Sequence, residues 1–238
     1  MPGPHLSVVI PVYNEEENLG VLVPAVVGVM ESLGKEYEIL LIDDGSRDGS
    51  YARMLALKQT FPRLRCIKFR ANAGQTAAMW AGFREARGDV VVTLDADLQN
   101  APEDIPKLLE KIGEYDAAVG WRHKRNDPLV RIVSSRIANW VRNKLSGETI
   151  ADTGCSLKAY KRECLQKLKL YRGLHRFLPT LIKMEGYTVA EVKVDHKPRI
   201  HGESKYGIRN RMIPAFIDLL AVRWMKKRHI NYQIEEER

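Results

Sequence analysis

The chain has 238 residues, 45% of them hydrophobic and 29% charged, which suits one large α/β domain or two small ones and argues against disorder as the main state. Its net charge of +8 is divided unevenly: residues 1–120 carry 12 Lys and Arg against 18 Asp and Glu, and residues 121–238 carry 26 against 12. The basic second half predicts contact with something anionic (nucleic acid, an anionic membrane surface or a phosphorylated substrate), and no apolar run is long enough to span a bilayer as a simple helix.

The first half alternates strand-like and helix-like segments. Leu6–Val12, Tyr37–Asp43, Arg65–Phe69 and Asp89–Asp95 are short runs rich in Val, Ile and Leu, the pattern of strands buried on both faces. Helical-length segments lie between them, over about Glu15–Leu33, Asp48–Thr60 and Gly74–Ala86. A fourth is expected at Pro102–Ile112, where Pro102, Glu103 and Asp104 suit a first turn. Such alternation implies right-handed βαβ units and a parallel sheet, extended by a strand at Asp116–Trp121. Beyond Trp121 the rhythm breaks. An apolar stripe of Val133, Ile137, Trp140, Val141 and Leu145 predicts a helix over Arg131–Leu145, in a stretch, Trp121–Gly147, with seven Lys and Arg and one acid. A strand at Ser156–Tyr160, a helix at His175–Glu185 and a strand at Thr188–Val194 follow. Arg199–Tyr206 reads as a loop. The last helix, from about Ile213, carries Phe216, Ile217, Leu220 and Trp224 on one side and ends in Lys-Lys-Arg-His. No repeat, low-complexity stretch or linker interrupts the chain, so one continuous domain is expected.

In an open parallel sheet, ligands bind outside the carboxyl ends of the strands. The first strand runs out through Tyr13 and Glu15, the second through Asp43-Asp44-Gly45-Ser46, and the fourth through Asp95-Ala96-Asp97-Leu98-Gln99. Three acidic strand ends call for a cation. In an extended segment Asp95, Asp97 and the Gln99 amide oxygen project to one side, an all-oxygen set suited to Mg²⁺ or Mn²⁺ and a substrate diphosphate. The same residues also suit an acidic turn in which Asp97 or Asn100 caps the next helix. Asp43-Asp44-Gly45-Ser46 divides in the same way, between a turn capped by Ser46 or Asp48 and a carboxylate, Asp44, that holds a base or ribose. Tyr13 suits stacking on a base or packing beside the sheet.

Other chemistries find no support. No G-x-G-x-x-G follows a strand, no Gly-rich Lys-Ser/Thr loop or G-x-S-x-G occurs, and the six histidines show no zinc-type pairing. The start, MPGPHLSVVIPVYNEE, lacks the marks of a signal peptide, and Cys66, Cys155 and Cys164 read as reduced thiols of a cytoplasmic protein. A metal-assisted reaction on a phosphorylated nucleotide is what these exclusions leave.

The motifs PVYNEEENL, DDGSRDGS, NAGQTAAMWAGFREARGD and DADLQ together resemble family 2 glycosyltransferases of the GT-A-type fold, a Rossmann-like, mostly parallel α/β sheet flanked by helices. DTGCSLKAY, LHRFLPTLIKMEGY and KPRIHGESKYG resemble the branch that holds dolichyl-phosphate mannose synthases and undecaprenyl-phosphate sugar transferases. The resemblance covers about residues 6–211. It implies a catalytic domain over 1–211, with a donor half to about 120 and an acceptor half from about 121, and an amphipathic helix and charged tail over 212–238. Pro11, Tyr13, Glu15, Ile42 and Asp44 would then hold the donor's base and ribose. Asp95, Ala96, Asp97 and Gln99 would line the diphosphate and metal site. Arg122 matches an arginine near the sugar and acceptor phosphate, and Arg199 and Lys205 match a loop that folds over the phosphates. Asp152 stands where related enzymes place an acceptor-side acid; orienting, basic and turn-capping roles are all open to it.

The activity so implied is inverting, metal-dependent transfer of a hexose, with mannose from GDP-mannose foremost, from a nucleotide sugar to a polyprenyl phosphate. Many members of the branch continue into transmembrane helices, whereas this sequence stops at Arg238. The expected form is therefore peripheral on the cytoplasmic face of a membrane, the Phe216–His229 stretch either lying in the interface or packing on the domain. A hydroxyl or polysaccharide acceptor is the nearest rival, but Leu220 stands where processive synthases carry the Gln of Gln-x-x-Arg-Trp. A nucleic-acid module lacks both a motif and a pattern of stacking aromatics. A non-catalytic scaffold is disfavoured by the full acidic set. Partners in the form of a second copy or a membrane-embedded protein are left open.

Overall fold

The computed structural model describes residues 5–122, 150–169, 171–197, 208–230 and 235, with side chains in the last long stretch from 214 onward. The helix expected at Arg131–Leu145, and the loop carrying Arg199 and Lys205, lie outside the described residues.

Strands β1 (Leu6–Val12), β2 (Tyr37–Asp43), β3 (Leu64–Lys68) and β4 (Val90–Thr93) are joined by helices α1 (Glu16–Ser32), α2 (Ser50–Thr60) and α3 (Gln75–Glu85) and pair in parallel. Then follow α4 (Ile105–Leu109), β5 (Ala117–Arg122), β6 (Lys158–Lys161), α5 (Arg162–Gln166), α6 (Leu178–Met184), β7 (Val189–Val194) and α7 (Ile208–Arg228). The described strands form one sheet in the order β3-β2-β1-β4-β6-β5-β7. All pairs are parallel except those made by β6, which runs antiparallel between β4 and β5. The mostly parallel α/β class read from the sequence is what the structure shows.

Period-two alternation assigns each central strand to two cores. Val8, Ile10, Ile39 and Leu41 face α1 and α2 and pack with Leu19, Leu22, Val26 and Met54. Val9, Leu40, Ile42 and Val91 face the other way, against Ala78, Met79 and Phe83 of α3 and against Leu178 and Ile182 of α6. Gly82 makes the second core possible, since a Cβ there would stand 2.2 Å from Val9 Cγ1.

Two expected helices begin later than their sequence pattern, for one reason. Pro106 has no N–H to give the Pro102 carbonyl, so Ile105 bonds that carbonyl instead and residues Pro102–Asp104 tighten into a 3₁₀ turn before α4. Pro179 likewise cannot donate to His175; Leu174–Phe177 form a 3₁₀ turn, and α6 begins at Leu178. The last helix starts earlier than expected, at Ile208, with Pro214 inside it. Leu219, Val222 and Met225 pack it on the second core. Phe216, Ile217, Leu220 and Trp224 stay 44–65% exposed, so the side singled out in the sequence is not the side that packs.

At the start of β5, Asp116 ties three strands together. Its carboxylate accepts from Lys161 Nζ (2.7 Å) and from the Thr188 N–H (2.9 Å) and hydroxyl (2.8 Å). These contacts, the Lys161 bond first, hold its carboxyl down at about 2. Asp116→Ala is expected to cost about 1–2 kcal/mol at neutral pH, less than a fully buried pair because both side chains are partly exposed. A carboxyl depressed in the folded state stabilises fully above its unfolded pKa near ~4 and loses that contribution as pH falls through about 2. Thermal melts of both proteins across pH 2–7 check this: the two curves converge at the acid end.

Candidate active site

The loops leaving β1 and β2 clamp each other. Asn14, at φ +52°, accepts from the Arg47 N–H through its side chain (2.8 Å) and donates its own N–H to Ser46 Oγ (3.0 Å). The Glu15 N–H donates to Ser50 Oγ (2.8 Å), and Glu16 accepts from the Gly49 N–H (2.9 Å). Pro11, Tyr13 and Glu15 sit half-buried on this clamp. Asp44 is almost wholly buried, and its carboxylate takes hydrogen bonds from Asn72 Nδ2 (2.9 Å), the Ala73 N–H (2.7 Å) and the Gly74 N–H (2.9 Å). Burial nonetheless pushes its carboxyl above the ordinary range. In this structure Asp44 builds the entry to α3 and presents no exposed carboxylate. Ile42 is fully buried in the second core and supports the site from behind.

The acidic segment after β4 differs from the extended arrangement read in the sequence. The strand ends at Thr93, and Asp95–Leu98 turns sharply, with Leu98 at φ +61°. A leucine in the left-handed region is strained, and such strain gathers at functional sites. Asp97 Oδ1 accepts from the Gln99 N–H (3.2 Å), which closes the turn. The turn, and not strand alternation, is what brings the two carboxylates together. Burial, and then the charge of Asp97, push the Asp95 carboxyl up to about 6, against the opposing pull of Ser156, Lys158 and Arg122. Gln75 Nε2 donates to Asp95 Oδ1 (2.7 Å), and Ser156 Oγ accepts from the Asp95 N–H (3.1 Å) and from Asn100 Nδ2 (2.7 Å). Ala96 is buried within the turn. The Lys197 N–H, just past β7, donates to the Gln99 carbonyl (2.9 Å).

Arg122, at the end of β5, meets Asp152 edge-on: Nε to Oδ2 is 2.6 Å and Nη2 to Oδ1 is 2.9 Å. Gly154 gives its N–H to Asp152 Oδ1 (3.0 Å), and a Cβ on it would lie 2.9 Å from Arg122 Nη2. Behind this pair is Lys158 of β6, buried and paired in register with Thr93 and Val119. Its Nζ donates to the Thr153 carbonyl at 3.3 Å. Burial pulls the Lys158 pKa down, while Cys155, Asp152 and Asp95 support its charge. The site therefore has a negative half around Asp95 and Asp97 and a half organised by Arg122 and Asp152, with the buried Lys158 side chain on the strand between them. Thiol chemistry is out of place here: burial and Asp152 push the Cys155 thiol up to about 11, which keeps it protonated.

Comparison with known proteins decides the family. The profile of glycosyl transferase family 2 matches residues 7–169. The chain belongs to this family. Among curated relatives, it is 40% identical over 224 residues to the dodecaprenyl-phosphate galacturonate synthase of Rhizobium johnstonii, covering 91% of this chain and 66% of that protein. It is 41% identical over 218 residues to the undecaprenyl-phosphate 4-deoxy-4-formamido-L-arabinose transferase of Pseudomonas fluorescens, covering 90% and 63%. The chain spans about two thirds of the length of these relatives. Among solved structures, glucosyl-3-phosphoglycerate synthase of Mycobacterium tuberculosis, with Mn²⁺, UDP and phosphoglyceric acid, superposes with a TM-score of 0.70 at 18% identity, over 96% of this chain and 80% of that one. The mannosyltransferase PcManGT of Pyrobaculum calidifontis, with GDP-Man and Mn²⁺, gives 0.66 at 20%, over 97% and 66%. At those identities the likeness shows the GT-A-type fold.

For this family 2 glycosyltransferase chain, the donor set for a metal has the right chemistry. Asp95 and Asp97 are hard oxygen ligands close enough to repel each other, which a divalent cation would relieve. Among the described residues no three His, Cys, Asp or Glu side chains converge on one point. The sequence reading missed Lys158, Ser156, Gln75 and Asn100. Lys158 had a signal, a lysine inside the apolar run Leu157–Tyr160. The others are polar residues whose partners lie 20 or more positions away, and nothing local marks them.

Proposed function

We propose that this chain transfers a glycosyl group, with inversion, from a nucleoside diphosphate sugar to a polyprenyl phosphate at a membrane surface. One observation carries the reading: a paired-carboxylate turn follows β4 and a buried Arg122–Asp152 pair ends β5, on either side of the antiparallel strand β6 that carries Lys158. The relatives, whose names specify dodecaprenyl- and undecaprenyl-phosphate products, support the acceptor class.

Pro11, Tyr13 and Glu15 would hold the base and ribose on the β1–β2 clamp, with Asp44 and Ile42 fixing the walls. Asp95, Asp97 and Gln99 would hold Mg²⁺ or Mn²⁺, whose charge offsets that of the departing diphosphate. A phosphate monoester is already anionic at neutral pH, so its attack needs orientation more than a strong base. Asp152 serves that end by fixing the plane of the Arg122 guanidinium toward the acceptor phosphate, and Arg199 and Lys205 are assigned to the phosphates by the resemblance. The exposed row Phe216, Ile217, Leu220 and Trp224 suits an interface, and no described helix is long and apolar enough to cross a membrane. The free thiols Cys66, Cys155 and Cys164 suit a cytoplasmic face.

Mannose on GDP is the donor the sequence resemblance brings forward; the relatives' names bring forward galacturonate and 4-deoxy-4-formamido-L-arabinose. The test is transfer of label from nucleotide-linked forms of each to undecaprenyl or dolichyl phosphate, with Mg²⁺, Mn²⁺ or EDTA. Metal-dependent label in the lipid phase is expected with one donor. Nucleotide-sugar binding without label in lipid under any combination overturns the acceptor and leaves a hydroxyl acceptor as the reading.

A further inference from the structure

A second feature lies at the other end of the sheet. Lys161 pairs with Val90, the first residue of β4, so α5 and the chain after it start at the end of the sheet away from Asp95. There, Lys167, Lys169 and Tyr171 face the C-terminal turn of α7 across a groove of about 350 Å³. Lys167, Lys169 and Arg228 line it together with His229, and its one acidic lining residue, Glu185, lies 3.5 Å from His229. Two large aromatics stand at its mouth largely in solvent: Tyr171 is 62% exposed and Trp224 is 65% exposed. Leu181 and Met184 form part of the apolar wall.

Trp224 belongs both to this groove and to the exposed row Phe216, Ile217 and Leu220 along α7. The groove is therefore continuous with an apolar strip whose side chains are 44–65% exposed. Lysines and arginine beside tyrosine and tryptophan, running into exposed aliphatic and phenyl groups, match the layering of a bilayer surface. Phosphates lie outermost, aromatic rings prefer the level of the headgroups and glycerol, and acyl chains lie beneath. A soluble polyanion would use the cations and leave the aromatics and the apolar strip in water.

We propose that this groove binds the headgroup of an anionic phospholipid in a bilayer, with Lys167, Lys169 and Arg228 around the phosphate and Tyr171 and Trp224 at the level of the glycerol. The contact anchors the chain independently of its glycosyl acceptor, and it stands whether or not polyprenyl phosphate is that acceptor.

The experiment is co-sedimentation of the full chain with vesicles of phosphatidylcholine alone and of phosphatidylcholine mixed with phosphatidylglycerol. Binding is expected with the mixed vesicles and is weakened by salt. The double variant Lys169→Glu/Arg228→Glu loses roughly tenfold or more in partitioning, because each basic residue near an anionic surface contributes to binding. A charge-matched control on the β2 and α2 side of the sheet, Lys35→Glu/Lys58→Glu, is expected to change it by less than about twofold. Quenching of tryptophan fluorescence by brominated phosphatidylglycerol is expected in the parent chain and falls in Trp224→Phe. Equal binding to neutral vesicles, an unchanged double variant, quenching indifferent to Trp224→Phe, or a Trp224-dependent dimer in place of vesicle binding overturns the assignment. None of these readouts involves sugar transfer, so failure here and failure of the proposed reaction are separately visible.

Discussion

Asp97→Asn is expected to lower metal-dependent transfer by about a thousandfold, some 4 kcal/mol of barrier, while the protein stays folded. Asparagine keeps the size of the side chain and its Oδ1, so the bond from the Gln99 N–H that closes the turn survives. What is lost is a negative charge beside Asp95. Two like charges in a largely buried turn are costly without a cation, and Asp97 is part of the reason the Asp95 carboxyl rises to about 6. Removing one charge would weaken the hold on the proposed metal and also relieves that repulsion, so the melting temperature of the metal-free variant is not expected to fall. Initial rates over a titration of Mg²⁺ and of Mn²⁺, with thermal melts alongside, make the check. A variant that keeps metal-dependent turnover at the parent rate removes Asp97 from the metal site.

Arg122→Ala is expected to cut transfer by roughly a hundredfold or more while nucleotide-sugar affinity stays within about threefold, if the lost cation orients the acceptor and not the nucleotide as proposed. This substitution also takes from Asp152, which is 7% exposed, the bonds it receives from Nε and Nη2 of the arginine. Breaking a buried ion pair by removing one partner costs about 3 kcal/mol, so lost activity alone would not separate a chemical role from a structural one. The double variant Arg122→Ala/Asp152→Asn makes the separation. It removes the Asp152 charge and recovers much of the melting temperature. If Arg122 acts on the acceptor, transfer stays low in the double variant. Recovery of transfer together with stability assigns the pair to scaffolding. Calorimetric titration with the nucleotide sugar supplies the affinity arm.

Much of this site is visible in the linear order of residues, and much of the rest is not. Val8–Val12 and Ile39–Ile42 are apolar on both faces over a strand's length, and the acidic residues follow directly where such runs stop. Because ligands gather at strand ends, that information is local, and the acidic end of the sheet follows from it, whereas the turn that brings Asp95 and Asp97 together does not. The proline-shortened helices were legible in principle as well, since Pro106 and Pro179 stand where an N–H is required four residues on.

The family, the parallel frame of the first half, the acidic strand ends and the apolar content of α7 were determined by sequence alone, through composition, periodicity and motif order. Tertiary structure alone decided that β6 runs antiparallel between β4 and β5, and so that Lys158 lies behind both halves of the site. It decided that Asp44 serves the Asn72–Gly74 loop and that Arg122 finds Asp152 thirty positions away. It also chose which apolar side of α7 is covered: Leu219 and Val222 are buried, while Phe216, Ile217, Leu220 and Trp224 face solvent. The reason is the same in each case. A pattern along the chain records that a residue can be buried or paired, whereas the partner is selected by which surfaces the folded chain brings within a few ångströms, and that selection depends on every other element at once.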